Sequence, residues 1–274
     1  MSLRDEIEEK IALLQSHLDE LNSIDEDYKC ETMAKVFSRV DRSPRLPKIS
    51  TGIDIIDTKL GGGLSLGTFI NIAGENFAGK TTLVLNIMKN ICTGHKVMFF
   101  SFEMYEVILR EKMADWDISQ LNNLYVEQKR NTLSQIEKII RGYAKDGVKL
   151  FCIDSRMKII VERKLEEYQK NSLISQRLSK LSQELGITII LINQVAEADL
   201  RSNRLALKGS GDQAYDSDVI FYVKADINKE TGEIEKRTLI CSKDRVNGKK
   251  WAAQLPVFDA PPVEIEYKVE VPQL

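Results

Sequence analysis

Histidine is nearly absent from this chain: His17 and His95 are the two in 274 residues. The four cysteines, Cys30, Cys92, Cys152 and Cys241, lie far apart with no C-x-x-C pair. A His/Cys zinc site therefore has little to be built from. Cys152 and Cys241 sit in apolar, strand-like runs and read as buried reduced thiols. No apolar run approaches the length of a membrane span. The charged start, Met1-Ser2-Leu3-Arg4-Asp5-Glu6, stands where a secretory signal needs an apolar stretch. Export and membrane insertion are not expected, and the cytoplasm is the default location. An excess of positive charge is also missing. The formal net charge is −2, so any contact with nucleic acid must come from local basic loops. Internal repeats and low-complexity tracts are lacking. What remains is an ordinary globular composition, 43% apolar and 29% charged, with length for one large α/β domain and an appendage.

The stretch that organises the rest is Gly74-Glu75-Asn76-Phe77-Ala78-Gly79-Lys80-Thr81, a full match to G-x-x-x-x-G-K-[ST]. Before it, Thr68 to Ala73 has the branched and aromatic content of a buried strand, and Thr82 to Ile91 after it reads as a helix. In a strand-loop-helix of this kind, backbone N–H groups and the positive end of the helix converge on one point, where a triphosphate can be held. Lys80 reaches the β- and γ-phosphates, and the Thr81 hydroxyl is placed to ligate the bridging Mg²⁺. ATP and Mg²⁺ are the implied ligands, with Gly74 through Thr82 as their cradle.

Residues 1–48 read as a helical N-terminal segment and linker. Leu3, Ile7, Ile11, Leu14, Leu18 and Leu21 recur every three or four residues among charged positions, the mark of an amphipathic helix. A second short helix is expected from about Thr32 to Val40, with Met33, Val36, Phe37 and Val40 on one side. Pro44 and Pro47 in Arg42-Ser43-Pro44-Arg45-Leu46-Pro47-Lys48 then force an extended linker. Residues 49–274 form the main domain. Strands are predicted at Lys96 to Phe102, Val148 to Ile153, Ile187 to Ile192, Val219 to Val223 and Arg237 to Ser242. Helices are predicted at Met104 to Trp116, Thr132 to Tyr143 and Asn171 to Leu185. The alternation predicts an α/β fold with a mostly parallel sheet covered on both faces. Ligands in such sheets bind beyond the carboxyl ends of the strands. Glu103, Asp154 and Gln194 each lie at such an end.

These positions suit hydrolysis. Asp154 ends the apolar strand Leu150-Phe151-Cys152-Ile153, a Walker B pattern, and would hold the Mg²⁺ shell through water. Glu103 can orient the attacking water or take its proton. Gln194 has donor and acceptor atoms suited to sensing a γ-phosphate.

Phe100-Ser101-Phe102-Glu103-Met104, Leu150 to Asp154, Ile192-Asn193-Gln194, Lys208-Gly209-Ser210-Gly211 and Lys243-Asp244-Arg245 together resemble successive motifs of the DnaB-type replicative helicases, ring-forming ATPases with a RecA-like core. The likeness runs from about Ile49 to Asn247 and includes Ser50-Thr51-Gly52. It implies a RecA-like P-loop fold, the catalytic base at Glu103, magnesium at Asp154 and Thr81, and phosphate sensing at Gln194. It also implies a finger from a neighbouring subunit at Arg245, with Lys243 beside it. Implied partners are single-stranded DNA, further copies in a hexameric ring, and replication proteins. The helix ending at Val40 resembles the family's linker helix, which docks on the next protomer.

The globular N-terminal collar usual in that family is absent from this sequence, so primase or loader contacts made by that collar are not inherited. The stretch between Glu103 and Asp154 is short for a typical member. Ser155-Arg156-Met157-Lys158 replaces the usual aromatic and apolar residues, and Asp244 stands where Gln or Asn is common. A phage or mobile-element relative, or a truncated helicase, fits these differences. Two basic stretches are candidates to face DNA. One is Arg156, Lys158, Arg163 and Lys164. The other is Arg201, Arg204 and Lys208 with Gly209 and Gly211. Neither offers an aromatic stacking platform, so backbone binding without sequence preference is implied. The competing reading is a non-translocating RecA-like ATPase, a recombination mediator or regulatory switch of the RadA or KaiC kind. Those relatives often carry a second acid directly after the base, whereas Met104 follows Glu103 here.

Overall fold

The computed structural model describes residues 31–40, 46–194, 216–228, 231 and 234–258, with scattered positions between 7 and 18. The chain divides into two units, Met1–Leu46 and Pro47–Leu274. In the first, Ile7, Ile11, Leu14 and Leu18 are helical, and a second helix spans Met33–Val40. Ile7, Ile11, Leu14, Leu18, Met33, Phe37 and Val40 are exposed and Val36 is half-buried.

The second unit is built on strands β1 (Lys48–Ile49), β2 (Leu64–Ser65), β3 (Phe69–Gly74), β4 (Val97–Ser101), β5 (Leu124–Glu127), β6 (Leu150–Asp154), β7 (Thr188–Gln194), β8 (Val219–Ile227), β9 (Ile234–Asp244) and β10 (Trp251–Gln254). β1 and β2 pair with each other, and the other eight form one sheet in the order β10-β9-β8-β3-β7-β6-β4-β5. The run from β8 to β5 is parallel, and β9 is antiparallel to both β8 and β10. This is the expected α/β architecture with a mostly parallel central sheet.

Every residue of β3, β4 and β6 is buried, because helices cover both faces. On one face Leu83, Ile87 and Met88 of the helix Lys80–Ile91 pack with Ile70, Ile72, Phe99 and Ile190. On the other, Ile136 and Ile140 of helix Leu133–Lys145 and Ile174 and Leu178 of helix Glu167–Leu185 pack with Phe69, Phe151, Ile189 and Leu191. Each such side chain contributes about 1.5–3 kcal/mol through burial. Thr132 starts the helix Leu133–Lys145 with a capping box. Its hydroxyl accepts from the Gln135 N–H at 3.3 Å and Gln135 returns the bond. Among the described residues no helix is long and apolar enough to cross a membrane. Cys92, Cys152 and Cys241 are buried free thiols.

Two departures from the sequence reading have local causes. The helix expected from Met104 to Trp116 spans only Glu106–Lys112, since the Met104 carbonyl accepts from Gln128 Nε2 at 2.8 Å and Tyr105 is extended. Strands β5 and β10 carry no clear apolar signature because they are short edge strands, half exposed. The Ser50-Thr51-Gly52 lead-in is a side-chain-stapled turn: the Asp57 carboxylate accepts from the Thr51 N–H at 2.8 Å, the Thr51 hydroxyl at 2.7 Å and the Ser50 hydroxyl at 2.5 Å.

Candidate active site

The phosphate loop leaves the carboxyl end of β3, and two of its glycines are dictated by close approach. A Cβ on Gly74 would lie 2.4 Å from the Val223 carbonyl oxygen of β8, and one on Gly79, at φ +96°, would lie 2.7 Å from Arg237 Nε. Between them Phe77 is left-handed at φ 62° and 92% exposed, while Ala78 is buried. Lys80 begins the helix with its side chain folded inward, donating to the carbonyls of Gly74 at 3.0 Å and Glu75 at 2.6 Å. Burial lowers its pKa, opposed by Asp154, Glu103 and Glu75.

The strand-end residues converge on this loop. The Thr81 hydroxyl donates to Asp154 Oδ2 at 2.6 Å. Asp154 is 2% exposed, and burial pushes its pKa up to about 6, with the Thr81 hydrogen bond pulling the other way and Glu103 adding repulsion. The Ser155 hydroxyl donates to Glu103 Oε1, so the acid at the end of β4 is tethered to the residue after Asp154. One cavity of about 520 Å³ is lined by Asn76, Phe77, Gly79, Lys80, Thr81 and Thr82 and also by Glu103, Asp154 and Gln194. The structure thus brings together the loop and the three polar strand ends that the sequence reading placed there. Glu75 contributes its carbonyl to Lys80.

The remaining candidates lie elsewhere. β9 runs antiparallel to β8, with Asp244 opposite Val219, and Val219 lies opposite Ile70 near the start of β3. Lys243 and Arg245 therefore sit at the amino end of the parallel strands, four residues of β3 or roughly 13 Å from Gly74 along the sheet. Arg245 Nη1 donates to Asp218 Oδ1 at 3.1 Å, and its side chain is 52% exposed. The other carboxylate oxygen of Asp218 accepts from the Phe69 N–H at 2.9 Å, which anchors the arginine to the base of β3. Lys243 has its pKa lowered by burial and by the neighbouring Arg245. Arg201, Arg204, Lys208, Gly209 and Gly211 lie outside the described residues. In the other basic stretch Arg156 is turned inward, bonded to Asn171 Oδ1 and 3.6 Å from Glu167, so it is engaged within the fold. Lys158, Arg163 and Lys164 are exposed.

Three polar or charged residues at the cavity escaped the sequence reading: Ser155, Arg237 and the exposed Lys112. Ser155 followed the Walker B acid but had no role until its bond to Glu103 was seen. Arg237 lines the cavity from β9, where it pairs with Ala225, two residues beyond the Val223 that faces Gly74. No local pattern marks it, because its position depends on the β8–β9 register, which shifts between Ile220 and Phe221.

A further polar chain runs through the sheet interior. Asn193, the residue before Gln194, donates to Asn71 Oδ1, and Asn71 Nδ2 donates to Ser217 Oγ at 2.5 Å. All three are buried, and Asn193 Oδ1 has no partner.

The site suits a magnesium nucleotide. Its two glycines leave a backbone cradle that a Cβ would fill, and the buried Arg237 Nε has no hydrogen-bond partner. Thr81 and Asp154 offer hard oxygen ligands.

Residues 48–119 match the family model of the DnaB-like helicase C-terminal domain. The DNA repair protein RadA of Aquifex aeolicus is 30% identical over 153 residues, a match covering 54% of this chain and 33% of RadA. The chain thus spans about a third of that relative's length. Several solved structures share the fold. One, an ATPase domain, has a TM-score of 0.65 at 19% identity, covering 81% of this chain and 92% of that one. A DnaB-like replicative helicase, solved with attention to its interactions with primase, has a TM-score of 0.64 at 18% identity and covers 92% and 72%. The chain accordingly has the RecA-like α/β ATPase fold, and its phosphate-loop segment matches the DnaB-like helicase C-terminal domain.

Proposed function

We propose that the chain is a DnaB-type helicase motor that hydrolyses ATP at subunit interfaces to translocate on single-stranded DNA. The observation that carries this reading is the separation of the hydrolytic groups. Glu103, Asp154, Thr81, Lys80 and Gln194 gather at one end of the sheet, while Lys243 and Arg245 sit at the other. An arginine so placed serves a neighbour's nucleotide, which makes each site shared and hydrolysis dependent on assembly. A hexameric ring is the arrangement proposed, and the match of residues 48–119 supports a helicase within it.

In this reading Thr81 and Asp154 would hold Mg²⁺, which would supply positive charge to offset that of the phosphates. The loop amides and Lys80 hold the phosphates. Glu103, oriented by Ser155, accepts the proton of the attacking water, and Gln194 reports whether a γ-phosphate is present. Arg245, with Lys243 beside it, stabilises charge on the phosphoryl group across the interface. The proposed DNA contacts are Arg201, Arg204 and Lys208 with Gly209 and Gly211.

The RadA relative favours a second reading, a recombination-type ATPase whose nucleotide state controls assembly on DNA without translocation. ATPase rate with and without single-stranded DNA, measured alongside mass in solution with ATP and strand displacement from a forked duplex, separates the two. The helicase reading expects DNA-stimulated hydrolysis, a ring-sized assembly and displacement. Filaments of indefinite mass with no displacement would favour the second.

A further inference from the structure

Arg237 reaches the nucleotide cavity from a strand to which the site motifs assign nothing. Its Nε is buried without a hydrogen-bond partner and packs against the backbone of Gly79 so closely that a Cβ there would lie 2.7 Å away. The cavity contains two carboxylates, and neither takes this guanidinium: Glu103 is bonded by Ser155 and Asp154 by Thr81. Among the other described arginines, Arg39, Arg130, Arg141, Arg156, Arg177 and Arg245 each have a carboxylate within 3.6 Å, and Arg110 and Arg163 are exposed to solvent. Arg156 Nε is likewise buried without a partner, but its guanidinium is held by Asn171 and Glu167. A desolvated guanidinium nitrogen without a partner costs free energy, so packing alone gives no reason for this placement. A planar fork of donors at the tip of a phosphate loop matches a polyphosphate.

We infer that Arg237 binds the polyphosphate of the nucleotide held in its own subunit, as a second cation beside Lys80. This rests on the nucleotide-site reading above and extends it to β9. The same strand ends at Asp244, next to Arg245, so one strand carries a contact to its own nucleotide at one end and the interfacial arginine at the other.

The test uses the full chain with Mg²⁺ and a fluorescent ADP, displaced by unlabelled tripolyphosphate, which has neither base nor sugar. Arg237→Ala is expected to weaken both ligands by the same factor, roughly ten- to a hundredfold for a lost charge-assisted hydrogen bond. Arg237→Lys should recover part of that loss. The melting temperature of the ligand-free protein should not fall, while the rise produced by MgADP should shrink. Unchanged affinities in Arg237→Ala, with binding lost in Lys80→Ala, would overturn the inference and leave the site reading intact. Unchanged affinities in both variants would remove the site reading itself. Weakened ADP with unaffected tripolyphosphate would assign Arg237 to the base or sugar and overturn the phosphate assignment. A lowered ligand-free melting temperature in both Arg237 variants, with no partial rescue by lysine, would make Arg237 a structural brace.

Discussion

The two ends of the central sheet are built on opposite principles. At the carboxyl end Lys80, Asp154 and Ser155 are buried, Thr81 is half-buried and Glu103 is exposed, and all are tied by hydrogen bonds: Lys80 to the loop carbonyls, Thr81 to Asp154, Ser155 to Glu103. At the amino end Arg245 is half exposed and held by Asp218. Preorganisation of the first end lets a site stand ready within one chain. The second end is anchored but open, the arrangement expected of a group that meets its target only across an interface. Under the proposed function, the contrast separates what a lone subunit would do, which is bind nucleotide, from what it would need a neighbour to do.

The largest effect should come from breaking the open end. Arg245→Ala is expected to bind nucleotide with little change and to lose roughly 10³–10⁵ in kcat, read by steady-state ATPase beside nucleotide titration. Weakened nucleotide binding in that variant would place the arginine at its own subunit's site. Next, Glu103→Gln should retain MgATP binding and lose roughly 10²–10⁴ in kcat. Mixed with Arg245→Ala, it should regain activity at interfaces where an intact Glu103 meets an intact Arg245. No recovery in mixtures shown by mass to be mixed assemblies would contradict sharing between subunits.

The smallest effect concerns stability and sharpens the buried end. The carboxyl of Asp154 titrates at about 6 in the fold against 3.8 unperturbed, chiefly through burial. The folded state therefore binds the proton more tightly than the unfolded state, and stability falls as pH rises between these values. Above pH 6 the desolvated carboxylate costs on the order of 2–3 kcal/mol. Asp154→Asn keeps an acceptor for Thr81 without that charge. It should raise the melting temperature of the ligand-free protein at pH 8, with the gain fading below pH 4. A gain that persists at pH 3.5 would assign the effect to packing. Mg²⁺-dependent nucleotide binding by the parent should weaken as pH falls through 6, because the ligand must be deprotonated.

The difference between the ends also explains what could be read from sequence. The phosphate loop and the acids at Glu103 and Asp154 were legible because each sits at a strand end marked by a local apolar run. The topology rules then bring such ends together. The mostly parallel sheet was legible for the same reason. Arg237 was not, since its approach to Gly79 comes from the register of an antiparallel pair with a bulge, a long-range quantity with no local signature. Edge strands β5 and β10 were missed because half-exposed strands dilute the alternation on which recognition depends.

The chain of Asn193, Asn71 and Ser217 links these ends in mechanical terms. It crosses from β7 to β3 and on to the turn before β8, and its terminal members are the sequence neighbours of Gln194 and Asp218. In a dry interior, parting either contact strands an asparagine amide without water, at about 1–3 kcal/mol. A sliding of β7 by one residue would turn Asn193 onto the apolar face of Ile70 and Ile72. The middle of β3 is thus latched to the carboxyl end of β7 and to the residues just before β8. Under the proposed function, a displacement at Gln194 would reach Asp218, the carboxylate that holds Arg245, through these bonds rather than being lost as slip between strands.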